Sequence, residues 1–109
     1  MGLFRKNKKA DKAHDDKELI SENERAVDAL IVLADKNDEI VDEFRALKEK
    51  IKYLIASEND KVYDYDKKIR NLIDDLRIVL VKRDGEMNEK AQKLVTQIKL
   101  AIADRNAKL

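Results

Sequence analysis

Residues 26–40 read Ala26-Val27-Asp28-Ala29-Leu30-Ile31-Val32-Leu33-Ala34-Asp35-Lys36-Asn37-Asp38-Glu39-Ile40, and the fold turns on whether they form one helix or two. Within Ala26–Ala34 only Asp28 is not apolar, so a helix here is hydrophobic on nearly every side and has to be surrounded. The five residues after Ala34 are polar and poor helix formers. The apolar positions nevertheless keep their step of three and four across them: Ala26, Leu30, Leu33, Asn37, Ile40, Phe44, Leu47, Ile51, Leu54, with Asn37 the one polar member. This unbroken coiled-coil-like register predicts a continuous helix over about 22–56. A kink at 35–39, which would fold residues 19–34 onto the bundle as a fourth helix, is the alternative.

Working outward, Ser21-Glu22-Asn23-Glu24 matches a capping box, and Leu19 and Ile20 stand where they would staple the helix start. On the other side, Ser57-Glu58-Asn59-Asp60 supplies capping side chains and no apolar residue, which marks a break. A second seam follows at Val62, Tyr65, Ile69, Leu72, Leu76 and Val79, widened by Ile73 and Leu80. Asp64 with Lys68 and Asp66 with Arg70 are acid-before-base pairs at i,i+4 on the same helix. Arg83-Asp84-Gly85 ends it, with the internal glycine at the C′ position. The third seam is Met87, Ala91, Leu94, Ile98 and Ala101, flanked by Val95 and Ile102. Short connections force antiparallel neighbours. The expected fold is therefore all-α: an up-down-up antiparallel three-helix bundle with helices about 22–56, 60–83 and 86–105.

Composition agrees. Of 109 residues 43% are apolar and 43% charged, with no proline and with glycine only at positions 2 and 85, which leaves too few turn residues for a β fold. Cysteine is absent, so disulfides and thiolate chemistry are excluded. The chain divides into a basic tail at 1–17, read as disordered, and a bundle domain at 18–109. The tail has six basic and three acidic side chains, a net +3, while the bundle has eighteen basic and twenty acidic, a net −2. Nucleic acid is thus an unlikely partner for the bundle.

In the tail, Leu3 and Phe4 precede Arg5, Lys6, Lys8, Lys9 and Lys12, a combination that can touch an anionic membrane weakly or, as the second alternative, nucleic acid. Lys6 stands where a myristoylation signal wants Ser or Thr. No apolar run follows the basic start, so no signal peptide is read, and the expected location is cytoplasmic, with peripheral contact at the inner membrane face as a variant.

Catalysis finds no support. His14 is the sole histidine and lies among charges, which excludes histidine triads and di-iron bundle sites. Asp15-Asp16 and Asp74-Asp75 point about 100° apart on a helix and read as solvated faces. Asp35–Glu39 lacks the glycine and the final glutamate of a calcium loop. Tyr53, Tyr63 and Tyr65 read as a cap on the core. No catalytic, cofactor or metal residue is assigned.

A 35-residue first helix would be about 52 Å long against about 36 Å and 30 Å for the others. Residues before about Leu30 then overhang without a partner. Val27, Leu30, Ile31 and Val32, with Ile78 and Val81 at the same end, are the candidate interface. The expected function is a non-catalytic interaction module, either a homo-oligomer or a binder of another protein. A peripheral membrane adaptor is the alternative.

Overall fold

The structure is a computed structural model and describes residues 8–34 and 37–109. Among these residues it is all-α, without strands, and has four helices: α1 (Lys8–Leu33), α2 (Asp38–Lys52), α3 (Asp60–Lys82) and α4 (Met87–Asn106). The last two lie within one residue of expectation at each end. The expected long first helix is instead two, and the three-helix bundle is corrected to four.

The chain breaks at Ala34–Asn37 because Asn37 leaves the helical conformation and caps α2, its side chain accepting from the Ile40 N–H. The Asn37 N–H turns back to the Ala34 carbonyl at 2.8 Å, and the Asn37 amide donates to Asn88 Oδ1 at 2.8 Å, fastening the turn to α4. Magnitudes decide the outcome. Interrupting the helix forfeits about four backbone hydrogen bonds, each worth roughly 0.5–1.5 kcal/mol net. Folding back buries Leu19, Ile20, Val27 and Leu30, at roughly 1.5–3 kcal/mol each. Burial wins, because a straight helix leaves those side chains in water.

The same event explains the start of α1. Residues 8–17, expected in the tail, form its first turns, and Ser21–Glu24 is interior helix rather than a cap. Leu19 and Ile20 belong to the core. Only residues 1–7 of the expected tail lie outside the described residues.

The four helices form two hairpins laid side by side. Within each, the helices are antiparallel; between them, α1 packs beside α3 and α2 beside α4. These outer pairings are parallel. Lys12 meets Asp60, Arg70 donates to the Glu22 carbonyl and Arg83 to the Leu33 carbonyl, so α1 and α3 climb together. Asn37 with Asn88 and Glu43 with Lys99 show the same for α2 and α4. Residues 53–59 therefore cross one end of the bundle diagonally, from α2 to the foot of α3. Asn59 caps α3, accepting from the Lys61 N–H at 2.9 Å.

The left-handed residue that ends α3 is Arg83, at φ 50° and ψ 42°, and not Gly85, whose φ is not positive. The glycine marks the turn but does not supply its strained position. Tyr53, expected in a cap on the core, is exposed, while Tyr63 and Tyr65 are half-buried.

Candidate functional site

The core is apolar except at one end. There Asp16 of α1, Asp66 of α3 and Arg105 of α4 are wholly inaccessible, with Asn23 beside them at 1%. Their positions follow from the heptad step. Buried residues keep that step through 16, 20, 23, 27 and 30 in α1 and on to 34, through 62, 66, 69, 73, 76 and 80 in α3, and through 91, 95, 98, 102 and 105 in α4. Each charged residue thus takes a core position of its own helix. The true register of α3 passes through Asp66, not through Tyr65 as the second seam had it.

Arg105 joins four parts of the chain. Its Nε donates to Asp66 Oδ1 at 2.7 Å, and its Nη2 to Asp16 Oδ2 at 3.3 Å and to the Ile55 carbonyl at 2.7 Å. Its Nη1 donates to Asn106 Oδ1 at 3.3 Å. Asp16 Oδ2 also accepts from the Ser57 N–H at 2.8 Å, and the Asn23 amide donates to the Asp66 carbonyl at 3.1 Å. So the cluster ties α1, α3 and α4 together and pins the 53–59 crossing. Three buried oxygens have no hydrogen-bond partner: Asp16 Oδ1, Asp66 Oδ2 and Asn23 Oδ1. Burial pushes the Asp66 carboxyl up to about 7; the neighbouring Asp16 carboxyl adds to the rise, and Arg105 opposes it.

Sequence reasoning placed Asp16 on a solvated face, paired Asp66 with Arg70, and did not single out Arg105. Arg70 instead lies 3.5 Å from Asp74. The available signal was the step of three and four carried back through Asp16 and forward to Arg105.

A second feature is a groove of about 440 Å³ along the parallel pair α1 and α3. Ala26, Ala29, Leu30 and Ile73 line its apolar part, and Glu22, Arg25, Arg70, Asp74 and Arg77 its polar part. Toward the 34–37 turn, the outer surface carries Val32, Ile78 and Val81, which are 73%, 53% and 62% exposed. Since α1 and α3 climb together with a spacing near 49 residues, Val32 stands level with Val81 and Ala29 with Ile78.

The six apolar residues expected at an interface therefore divide. Val27 and Leu30 are buried in the core, Ile31 is half-buried against it, and Val32, Ile78 and Val81 face outward. The overhang that motivated them is gone, because α1 has folded back. The cause is the turn at Asn37, which gave Val27 and Leu30 an intrachain partner.

Of the tail residues, Leu3, Phe4, Arg5 and Lys6 lie outside the described residues. Lys8 and Lys9 open α1, and Lys12 is held by Asp60 at 2.7 Å. His14 is exposed and pairs with Glu18. Among the described residues, no helix is long and apolar enough to cross a membrane, and no three His, Cys, Asp or Glu side chains are grouped to hold a metal ion. Comparison of the chain with protein-family models, with curated proteins and with solved structures gives no match to any of them.

Proposed function

We propose that the protein is a non-catalytic interaction module whose α1–α3 face receives an amphipathic helix bearing acidic residues. The observation that carries this reading is the exposure of Val32, Ile78 and Val81 on the same two helices whose groove is lined by Arg25 and Arg77. Apolar side chains aligned along two parallel helices offer a continuous strip, and a helix laid in a groove reads such a strip through positions i, i+3, i+4 and i+7.

Charge selects the occupant. Arg70 is engaged with Asp74 and with the Glu22 carbonyl, so Arg25 and Arg77 set against Glu22 leave the groove net positive. A second copy of the chain fits this face poorly. A second copy laid on the same face would set one net-positive groove against another. Like charges at a contact cost several kcal/mol or so when desolvated. Acidic residues flanking an apolar helix face meet the same arginines favourably.

The probe is a synthetic helical peptide with leucines at i, i+3, i+4 and i+7 flanked by glutamates, compared with the same peptide flanked by lysines. Amide shifts should move along 25–33 and 70–81 with the glutamate peptide alone, and Ile78→Glu should weaken binding at least tenfold. Equal binding of both peptides, or no binding of either at high micromolar concentration, sinks the acidic-helix reading. Sedimentation as a dimer that Ile78→Glu converts to monomer would establish self-association through this face instead.

A further inference from the structure

The end of the bundle crossed by residues 53–59 holds a charge imbalance. Asp16, Asp66 and Arg105 are all inaccessible, so two carboxylates and one guanidinium sum to −1 if both acids are ionised. An uncompensated buried charge is among the costliest features a core can hold. Arg105 satisfies only Asp66 Oδ1 and Asp16 Oδ2. The opposite oxygens, Asp66 Oδ2 and Asp16 Oδ1, are the ones without a donor. A proton on Asp66 Oδ2 provides a donor there, and the Asp16 carboxyl beside it favours that proton.

We propose that the Asp66 carboxyl holds a proton at Oδ2, beside the Asp16 carboxylate, and that this proton latches the 53–59 strap over the end of the bundle. The strap depends on the cluster directly. The Ser57 N–H donates to Asp16 and the Ile55 carbonyl accepts from Arg105, while outside the cluster the Asn59 amide donates to the Lys108 carbonyl. Leu54 and Ala56 of the strap pack against the core.

The groups facing the pair are few. From α1 come Asp16 and the Asn23 amide, from the strap the Ser57 N–H and Ile55 carbonyl, and from α4 Arg105 with the Asn106 oxygen. The last turns of α2 bring buried Leu47 and Ile51, neither of which ionises. The exposed Lys12–Asp60 pair lies at the same end but in water. Losing the proton leaves Arg105 facing two full carboxylates, and repulsion between them is relieved by withdrawing Asp16, which takes the Ser57 contact with it.

The sign follows from the raised carboxyl. The folded chain binds this proton more tightly than the unfolded chain, so the contribution is complete below the ordinary carboxyl pKa of 3.8 and is lost as pH rises toward about 7. One proton gives about a tenfold fall in the folding equilibrium constant per pH unit across that window.

The test uses the full chain labelled with carbon-13 at aspartate side chains. The Asp66 carboxyl signal should move in one step near pH 7. Hydrogen-exchange protection of the Ser57 amide, corrected for its intrinsic rate, should fall by up to about tenfold between pH 6 and 8. In Asp66→Asn, which carries its own donor, that protection should be independent of pH. An Asp66 carboxyl signal reading ionised from pH 5 to 9 would overturn the bound proton. Unchanged Ser57 protection across a clear carboxyl step would overturn the latch. Should Asp66→Asn not fold, the titration of the unmodified chain still decides both points.

Discussion

Arg105 and Asp66 meet at 2.7 Å with neither side chain reached by solvent, although they come from different helices and stand 39 residues apart. The same guanidinium reaches Asp16 and the Ile55 carbonyl, so a single residue near the C-terminus closes the bundle onto its first helix. Arg105→Met removes that closure and strands two buried carboxylates. Breaking a buried ion pair from one side costs about 3–5 kcal/mol, and urea denaturation at pH 7.5 should show a loss of that order. The triple variant Asp16→Leu, Asp66→Leu, Arg105→Met should recover most of it, since apolar replacement of a whole buried cluster is often neutral or stabilising.

Cutting the chain after Lys17 should prove severe. The cut takes Asp16 away from Arg105 and removes the acceptor of the Ser57 N–H. A loss of about 1–3 kcal/mol is expected from the Ser57 N–H and the Arg105 donor left without their acceptor, read as a lower urea midpoint. A truncated chain as stable as the full one would show that residues 8–17 contribute no packing.

The two halves of the apolar set around residues 27–32 and 78–81 should answer differently to mutation. Leu30 is 1% exposed and Ile78 53%. Leu30→Ala should cost about 2–5 kcal/mol through lost burial and the cavity left behind. Ile78→Ala should change stability by about 0.5 kcal/mol or less, as surface substitutions do. Thermal melts of the two variants compare them directly.

At the end of α3, Arg83 occupies a left-handed conformation that a Cβ disfavours. Glycine is relieved of roughly 1 kcal/mol there. Arg83→Gly forfeits only a 3.5 Å contact to the Leu33 carbonyl. The substitution should raise stability by about 0.5–1 kcal/mol. A fall instead would mean that the Leu33 contact holds the two hairpins in register.

Asn37 is the hinge of the fold. Asn37→Ala deletes the cap on Ile40 and the bond to Asn88. A lost N-cap costs about 1 kcal/mol, and the Asn88 bond adds to that. Calorimetry should record the drop with the helical circular dichroism unchanged.

Much of this protein was legible in the amino-acid order. The step of three and four, the absence of proline and the caps at Asn59 and Arg83–Gly85 determine helices over nearly the residues observed for α3 and α4, because those signals are local. The same periodicity runs through Leu30, Ile40, Phe44, Leu47 and Ile51, all of which are buried. Only the tertiary structure decided that the seam is cut at Asn37. A heptad register is preserved whether a helix continues or folds back with the same phase, so periodicity cannot tell the two apart. What separates them is the burial of Leu19, Ile20, Val27 and Leu30 against helices distant in sequence. The cluster was hidden for a related reason. Asp16, Asp66 and Arg105 each look like a solvated charge within their own helix, and a buried charge becomes tolerable only when its partners arrive from the other helices.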